Sequence, residues 1–468
     1  MYYSKRIFFV FCGLLFLSCE DTKDNVPLEP FTIISVATGG GANALGTLTD
    51  SHTCAVLSNQ KIKCWGGNSY GQLGLGDLNS RGDDLRDMGV NLPFVDIGTN
   101  HTAKSVAAGG LHTCAILDND TVKCWGYNNY GQLGIENTDN KGDEAGEMGD
   151  NLPVINLGTG RTAKKLALGL WHSCAILDND TVKCWGYNLT GELGQGDITF
   201  RGTFANSMGD NITPINLGTG RTAVSITSGP HHVCALLDNA TVKCWGGNST
   251  GQLGKENTVT IGNDPGEMGD SLTAVDIGAG RTALAIAAGG EGTEGHTCVI
   301  RDNGTLVCWG KNFNGQLGIG DVFDRGDGAG EMGAGLANVN LGTGRTPSTI
   351  AAGRSHSCAI LDNSAIKCWG QNTYGQLGQG HTNHLGDNAT EMGDNLTTID
   401  LGTGYTATSM SLANHSCVAL NTGRLKCWGN NFTSALGTGD RVDRGARTSE
   451  MGDNLDLVEL GGVGVVLQ

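Results

Sequence analysis

His112-Thr-Cys-Ala-Ile-Leu117 and Thr121-Val-Lys-Cys-Trp-Gly126, joined by Asp118-Asn-Asp120, decide the architecture. Both runs are rich in β-branched and apolar residues and are bounded by turn formers, the pattern of two short strands and a tight connection. Pairing them about the three-residue loop puts Cys114 opposite Cys124. Opposed Cα atoms in a non-hydrogen-bonded antiparallel pair lie ~4.5 Å apart, within the range a disulfide tolerates. Such a loop wants a left-handed third residue, a place that Gly304 and Gly423 fill in later copies of the motif. The register therefore predicts one disulfide inside the hairpin, worth about 2.5–3 kcal/mol by loop-closure entropy. The competing use of His112, Cys114 and Cys124 as metal ligands would need seven identical half-sites, and an exported chain meets oxidising conditions.

The motif is one of seven. Cys-Trp-Gly recurs at Cys64, Cys124, Cys184, Cys244, Cys308, Cys368 and Cys427, at spacings of 60, 60, 60, 64, 60 and 59 residues. Ten positions before each stands its partner: Cys54, Cys114, Cys174, Cys234, Cys298, Cys358 and Cys417. These pairs take fourteen of the sixteen cysteines, leaving Cys12 and Cys19 near the N-terminus. Within the second copy, Lys104–Gly109, Thr113–Leu117, Thr121–Trp125 and Pro153–Leu157 each read as a short strand. A repeat of about sixty residues with four short strands is a propeller blade. The expected fold is therefore all-β: a seven-bladed β-propeller, four antiparallel strands and one disulfide per blade, spanning residues 31–468.

The strings His112-Thr-Cys-Ala-Ile-Leu117, Val122-Lys-Cys-Trp-Gly-Tyr-Asn128 and Gly131-Gln-Leu-Gly134 together resemble the repeat of the regulator of chromosome condensation family. That resemblance also implies a seven-bladed propeller. The family's nuclear branch exchanges guanine nucleotides on a small GTPase and docks on chromatin, whereas its secreted bacterial members include an inhibitory protein that uses the propeller purely for protein recognition. This chain departs from the eukaryotic pattern in its cysteine pairs and in the long segment carrying Met-Gly-Asp, as at Met148-Gly-Asp150.

Address and charge point away from the nuclear role. Lys5-Arg6 precedes the uncharged run Ile7–Ser18, too short to span a bilayer, so residues 1–18 read as a signal peptide. The run ends at Leu17-Ser18-Cys19, which resembles a bacterial lipobox with Phe16 in place of the usual Leu. Cys19 is the expected lipidation site, and residues 19–30, beginning Cys19-Glu-Asp-Thr-Lys-Asp24, form an acidic tether. The expected location is exported, lipid-anchored to a bacterial outer membrane or cell surface, with membrane contact through the anchor only. The formal charge of −17 becomes −19 when Lys5 and Arg6 leave with the signal. Neutralising nucleic-acid phosphates needs excess cations, so a nucleic-acid partner is excluded. A monomer is expected.

Most motifs that suggest chemistry dissolve in the repeat. Gly67-Asn-Ser69-Tyr-Gly71 fits a hydrolase elbow, but Asn129, Leu189, Phe313, Thr373 and Phe432 occupy the serine's place elsewhere. Arg81-Gly-Asp83 shares its register with Lys141-Gly-Asp143 and reads as a turn. The seven histidines of His-x-Cys, His52 to His415, are expected to satisfy backbone groups within their blades. Acids such as Asp77, Asp83, Asp321 and Asp327 offer oxygen ligands for Ca²⁺, although their spacing matches no known calcium loop and no cofactor is otherwise expected.

What varies is the short loop before His-x-Cys. In an antiparallel blade it emerges on the same face as the long segments, so the seven loops build an asymmetric rim on a symmetric scaffold. Its candidate binding residues are Leu111, Trp171, His231, Glu291, Glu294, Arg354 and Asn414. The expected function is a non-catalytic binding scaffold for a protein or cell-envelope ligand. The alternatives are an enzyme working through the rim or central channel, which needs an acid–base set confined to one or two blades, and a structural or adhesive surface protein.

Overall fold

The computed structural model describes residues 31–42 and 48–462. Among them, 21 strands form seven three-stranded antiparallel sheets. In the second unit the inner, middle and third strands are Ala103–Ala108, His112–Leu117 and Val122–Gly126. Inner strands follow one another around a ring, which closes where Thr38 Oγ1 meets Ser411 Oγ at 2.9 Å. The middle and third strands are buried on both faces, which explains their continuous rather than alternating apolar character. Residues 1–30, with Cys19 and the tether, lie outside the described residues.

The hairpin register is the one the cysteine spacing requires. Cys114 lies opposite Cys124, and all seven pairs are disulfides with Cα atoms 4.1 Å apart and every sulfur buried. The third loop residue is left-handed throughout, including Gly304 (φ 76°) and the non-glycines Asp120 (64°) and Ala240 (59°). Ala240 has no polar side chain to offset that conformation. Replacing Ala240 with Gly is expected to stabilise the protein by about 0.5–1 kcal/mol, read as a raised urea midpoint, because the relief of left-handed strain exceeds the added unfolded-state entropy.

The fourth strand is not formed. Pro153–Leu157 runs beside the third strand but makes one backbone bond to it, Ile155 N to Val122 O at 2.9 Å, repeated once per unit by Val95, Ile215, Val275, Val339, Ile399 and Val458. Pro153 has no N–H to give. The carbonyl of Leu157 turns instead to a lysine of the next third strand: Lys183 Nζ sits 3.0 Å from Leu157 O and 2.8 Å from Gly209 O of its own unit. Lys63 does the same across the closing seam, at 3.0 Å from Leu460 O. Burial pulls the Lys63 ammonium down to about 8. The fifth unit has Val307 at this place, and Arg301 reaches Asn338 Oδ1 at 2.8 Å instead.

The residues that define the repeat tie blade to blade. Each repeat Trp is buried and donates its indole N–H to a carbonyl of the preceding unit, as Trp125 does to Gln72 O at 3.0 Å and Trp65 to Ala435 O at 2.9 Å. The repeat histidines work across seams too, not within their own blades. Thr113 Oγ1 donates its only proton to Gln72 O, so His52 Nε2, 2.9 Å away, must be the donor to that hydroxyl. The same pairing recurs for His112–Ser173, His232–Thr297, His296–Ser357, His356–Ser416 and His415–Thr53. One seam breaks the series. Val233 replaces the hydroxyl residue, and His172 is left with neither ring nitrogen partnered.

Candidate functional site

The rim lies where strand counting puts it. In six of the seven units the residue after Trp-Gly bonds back to the short loop, as Tyr127 N does to Leu111 O and Tyr187 N to Trp171 O, both at 2.9 Å. Short loops and the starts of long segments therefore share one face, while the Asp118–Asp120 type hairpins occupy the other. The central channel opens on the rim through a cavity of about 140 Å³ lined mainly by Gly and Ala, including Gly109, Gly169 and Gly353. Added Cβ atoms at those glycines would come within 2.6 Å of the neighbouring histidine rings.

The proposed binding residues fall into two sectors. In one, Arg354 grips Glu291 through two bonds of 2.5 Å and approaches Asn414 Oδ1 at 3.4 Å. Glu294 pairs with Lys311 at 2.7 Å, and a hollow of about 230 Å³ between these pairs is bordered by Phe313, which is 71% exposed. Asn414 is buried and fixed to Ser51 Oγ at 2.9 Å. Glu291 and Arg354 are the only charged residues on the channel wall among the described residues.

The other sector is aromatic. Trp171, half-buried, lies 5.3 Å from Tyr130, 5.4 Å from Tyr187 and 5.5 Å from the His231 ring, measured between centroids. Tyr187 stacks on Phe200 at 5.2 Å, and the row continues through Tyr127 to Tyr70. These separations are those of attractive aromatic pairs. Leu111 is buried and presents no open face here.

Beneath the rings sits a cluster that the repeat alone does not reveal. Glu192 stands where five other units have Gln, and it is fully buried. Its Oε1 accepts from His231 Nδ1 and from Thr190 Oγ1, both at 2.7 Å, and its Oε2 accepts from Thr190 N at 3.0 Å. Burial would raise the carboxyl, but the hydrogen bond and charge of His231 hold it below the usual range. Tyr187 is pushed up to about 12 by burial and by the Glu192 charge. The substitutions Gln to Glu192 and hydroxyl to Val233, each unique to its unit, were the available sequence signal. Chemically this is an acid and an imidazole confined to neighbouring blades, yet the nearby hydroxyl of Thr190 bonds the carboxylate rather than the imidazole, so no nucleophile–base–acid order exists.

Of the four acids considered for calcium, three are paired: Asp77 binds Arg81 at 2.7 Å, Asp321 binds Arg325 at 2.5 Å and Asp83 binds Arg441 at 2.9 Å. Among the described residues no three His, Cys, Asp or Glu side chains gather as an ion site.

Comparison with known proteins gives the fold a family setting. A model described as the RCC1-like domain matches residues 105–463, and models of the regulator of chromosome condensation (RCC1) repeat match residues 48–72 and 64–116. The Ultraviolet-B receptor UVR8 of Arabidopsis thaliana is 25% identical over 90% of this chain and 82% of its own. The probable E3 ubiquitin-protein ligase HERC4 of Mus musculus is 28% identical over 81% of this chain, which spans only 32% of that protein. Among solved structures, yeast RCC1 (Prp20) bound to Kap60 superposes with a TM-score of 0.61 at 22% identity, covering 82% of each chain. Human WBSCR16 gives 0.59 at 17% identity, covering 82% of this chain and 84% of its own.

Proposed function

The chain belongs to the RCC1-like domain family, and on that premise we propose that it is a non-catalytic binding scaffold whose rim recognises a protein or cell-envelope component. The observation that carries this reading is the contrast between seven near-identical blades and one asymmetric rim. Seam ties repeat around the ring and cannot tell one direction from another; the Glu291–Arg354 sector and the Trp171 sector can. UVR8, whose name describes a receptor, accords with a recognition role. The ligase named in HERC4 belongs to a protein of which this chain covers a third, and nothing here imports that activity. Guanine-nucleotide exchange is not part of the proposal, and neither is a resident cofactor.

A partner captured from envelope extracts should lose at least about thirtyfold in affinity for Trp171→Ala or Arg354→Ala, as expected for truncating an interface anchor. Asp120→Ala and Asp180→Ala, which break exposed pairs with Lys104 and Lys164 on the other face, should leave it unchanged. Loss in the second pair alone would move the site to the opposite face.

We further propose that Cys19 carries the lipid that holds the scaffold at the cell envelope. Labelled palmitate should enter the wild-type chain and not Cys19→Ala. A mature N-terminus downstream of Cys19 and free of lipid would refute the anchor.

A further inference from the structure

Seven of the eight tryptophans are wholly buried at repeat positions, and Trp171 alone is half-exposed, on the rim. Around it the structure gathers groups whose hydrogen-bonding capacity is unspent. The hydroxyls of Tyr70, Tyr130 and Tyr187 and the Trp171 indole N–H have no hydrogen-bond partner among the described residues, and none is sealed from solvent. His231 is 4% exposed, and its one hydrogen bond, through Nδ1, leaves Nε2 free. Because Glu192 engages Nδ1, Nε2 is the ring atom left to meet a ligand. The rings brace one another, Tyr130 tilted against Trp171 and the other pairs edge to face, so the surface is already formed before anything binds.

The charge pattern narrows what could sit there. The single acid of the cluster, Glu192, is buried and spent on His231 and Thr190, so a cation would meet no free carboxylate. Among the described residues no lysine or arginine lies over these rings, although Phe94, Phe313 and Tyr405 each carry a lysine. A polyanion is disfavoured by the overall charge of −17. What remains is a ligand with weakly polar C–H faces to lie on rings and neutral hydroxyls to meet the tyrosine hydroxyls, the indole N–H and the imidazole nitrogen.

We propose that the Trp171–Tyr187–His231 sector is a subsite for a neutral carbohydrate, with aromatic faces as the platform and His231 Nε2 as a hydrogen-bonding partner for one sugar hydroxyl, positioned by Glu192. This rests on the rim-recognition reading and names a ligand class for one sector of it.

Because the other tryptophans are sealed in the blades, a ligand-induced change in the fluorescence of the full-length protein reports on Trp171. Titration with cellohexaose, maltohexaose and chitohexaose should give a saturable change for at least one, with none for polygalacturonate or choline. By calorimetry, Trp171→Ala and Tyr187→Ala should weaken that saccharide at least about tenfold. Tyr187→Phe, which keeps the ring and fold, should weaken it about threefold, and Phe313→Ala in the other sector should not. Failure of all three saccharides to bind the folded protein overturns the proposal, as does binding that survives both ring truncations. If choline or polygalacturonate binds in their place, the ligand class is wrong. If no saccharide binds while a captured protein partner still needs Trp171, the carbohydrate subsite falls and the scaffold reading stands.

Discussion

At pH 5 the propeller is expected to unfold under conditions in which it is stable at pH 8. The seven repeat histidines are fully enclosed, and burial pulls His112, His172, His232, His356 and His415 down to about 3 and His52 and His296 to about 4. In the unfolded chain the same rings titrate near 6.5. Below that value the unfolded state binds more protons than the folded one. The stability associated with the neutral rings is therefore fully present above about pH 6.5 and drains as pH falls toward the folded values. At pH 5 the loss is about 2 kcal/mol per histidine, on the order of 14 kcal/mol for the seven, comparable to the whole stability of a typical domain. Circular dichroism followed from pH 8 to pH 4 should show a steep, cooperative loss of structure, and His112→Gln should make it shallower. Imidazole NMR signals that titrate near 6.5 in the folded protein would show that these rings are not held neutral by burial.

Reduction should be equally severe, but only after unfolding. Each disulfide closes a short loop and contributes about 2.5–3 kcal/mol by the entropy it removes from the unfolded chain, so loss of all seven exceeds the 5–15 kcal/mol of a typical domain. A chain denatured and returned to native buffer with reductant should not regain its fold, whereas the oxidised chain should. Because the sulfurs are buried, reductant added to the native protein should act only at the rate of opening. Refolding of the reduced chain would show that the apolar core suffices without them.

The hairpin, the disulfide pairing and the shared face of the variable loops were legible because each follows from chain geometry: a three-residue loop sets the register, and strand direction sets the face. The fourth strand was misread because Val154 and Ile155 have strand propensity, while what decides a ladder is where N–H and C=O groups find partners. Pro93 and Pro153 offer no donor in two units, and in four the lysine of the neighbouring third strand takes the carbonyl near the end of the segment, as Lys183 takes that of Leu157. The roles of the histidines were hidden for a related reason. A repeat places His112 beside Cys114 in sequence, but the hydroxyl it meets, Ser173, comes from the following copy. The Glu192–His231 pair was the hardest to see, since one replacement sits in a Gly-Gln-Leu-Gly motif and the other in a loop 39 residues away that varies in every copy.

The innermost strand of the first unit gives the molecule a direction. Phe31 N bonds Gly461 O at 3.2 Å and Ile33 N bonds Gly423 O at 2.8 Å, so the chain enters the ring among the hairpin loops, on the side opposite the rim. Residues 20–30, between the proposed anchor and this entry point, reach roughly 40 Å at full stretch. A lipid on Cys19 would thus moor the disc by its underside, leaving the channel mouth and the Trp171 sector turned outward from the bilayer, toward whatever arrives from the surroundings.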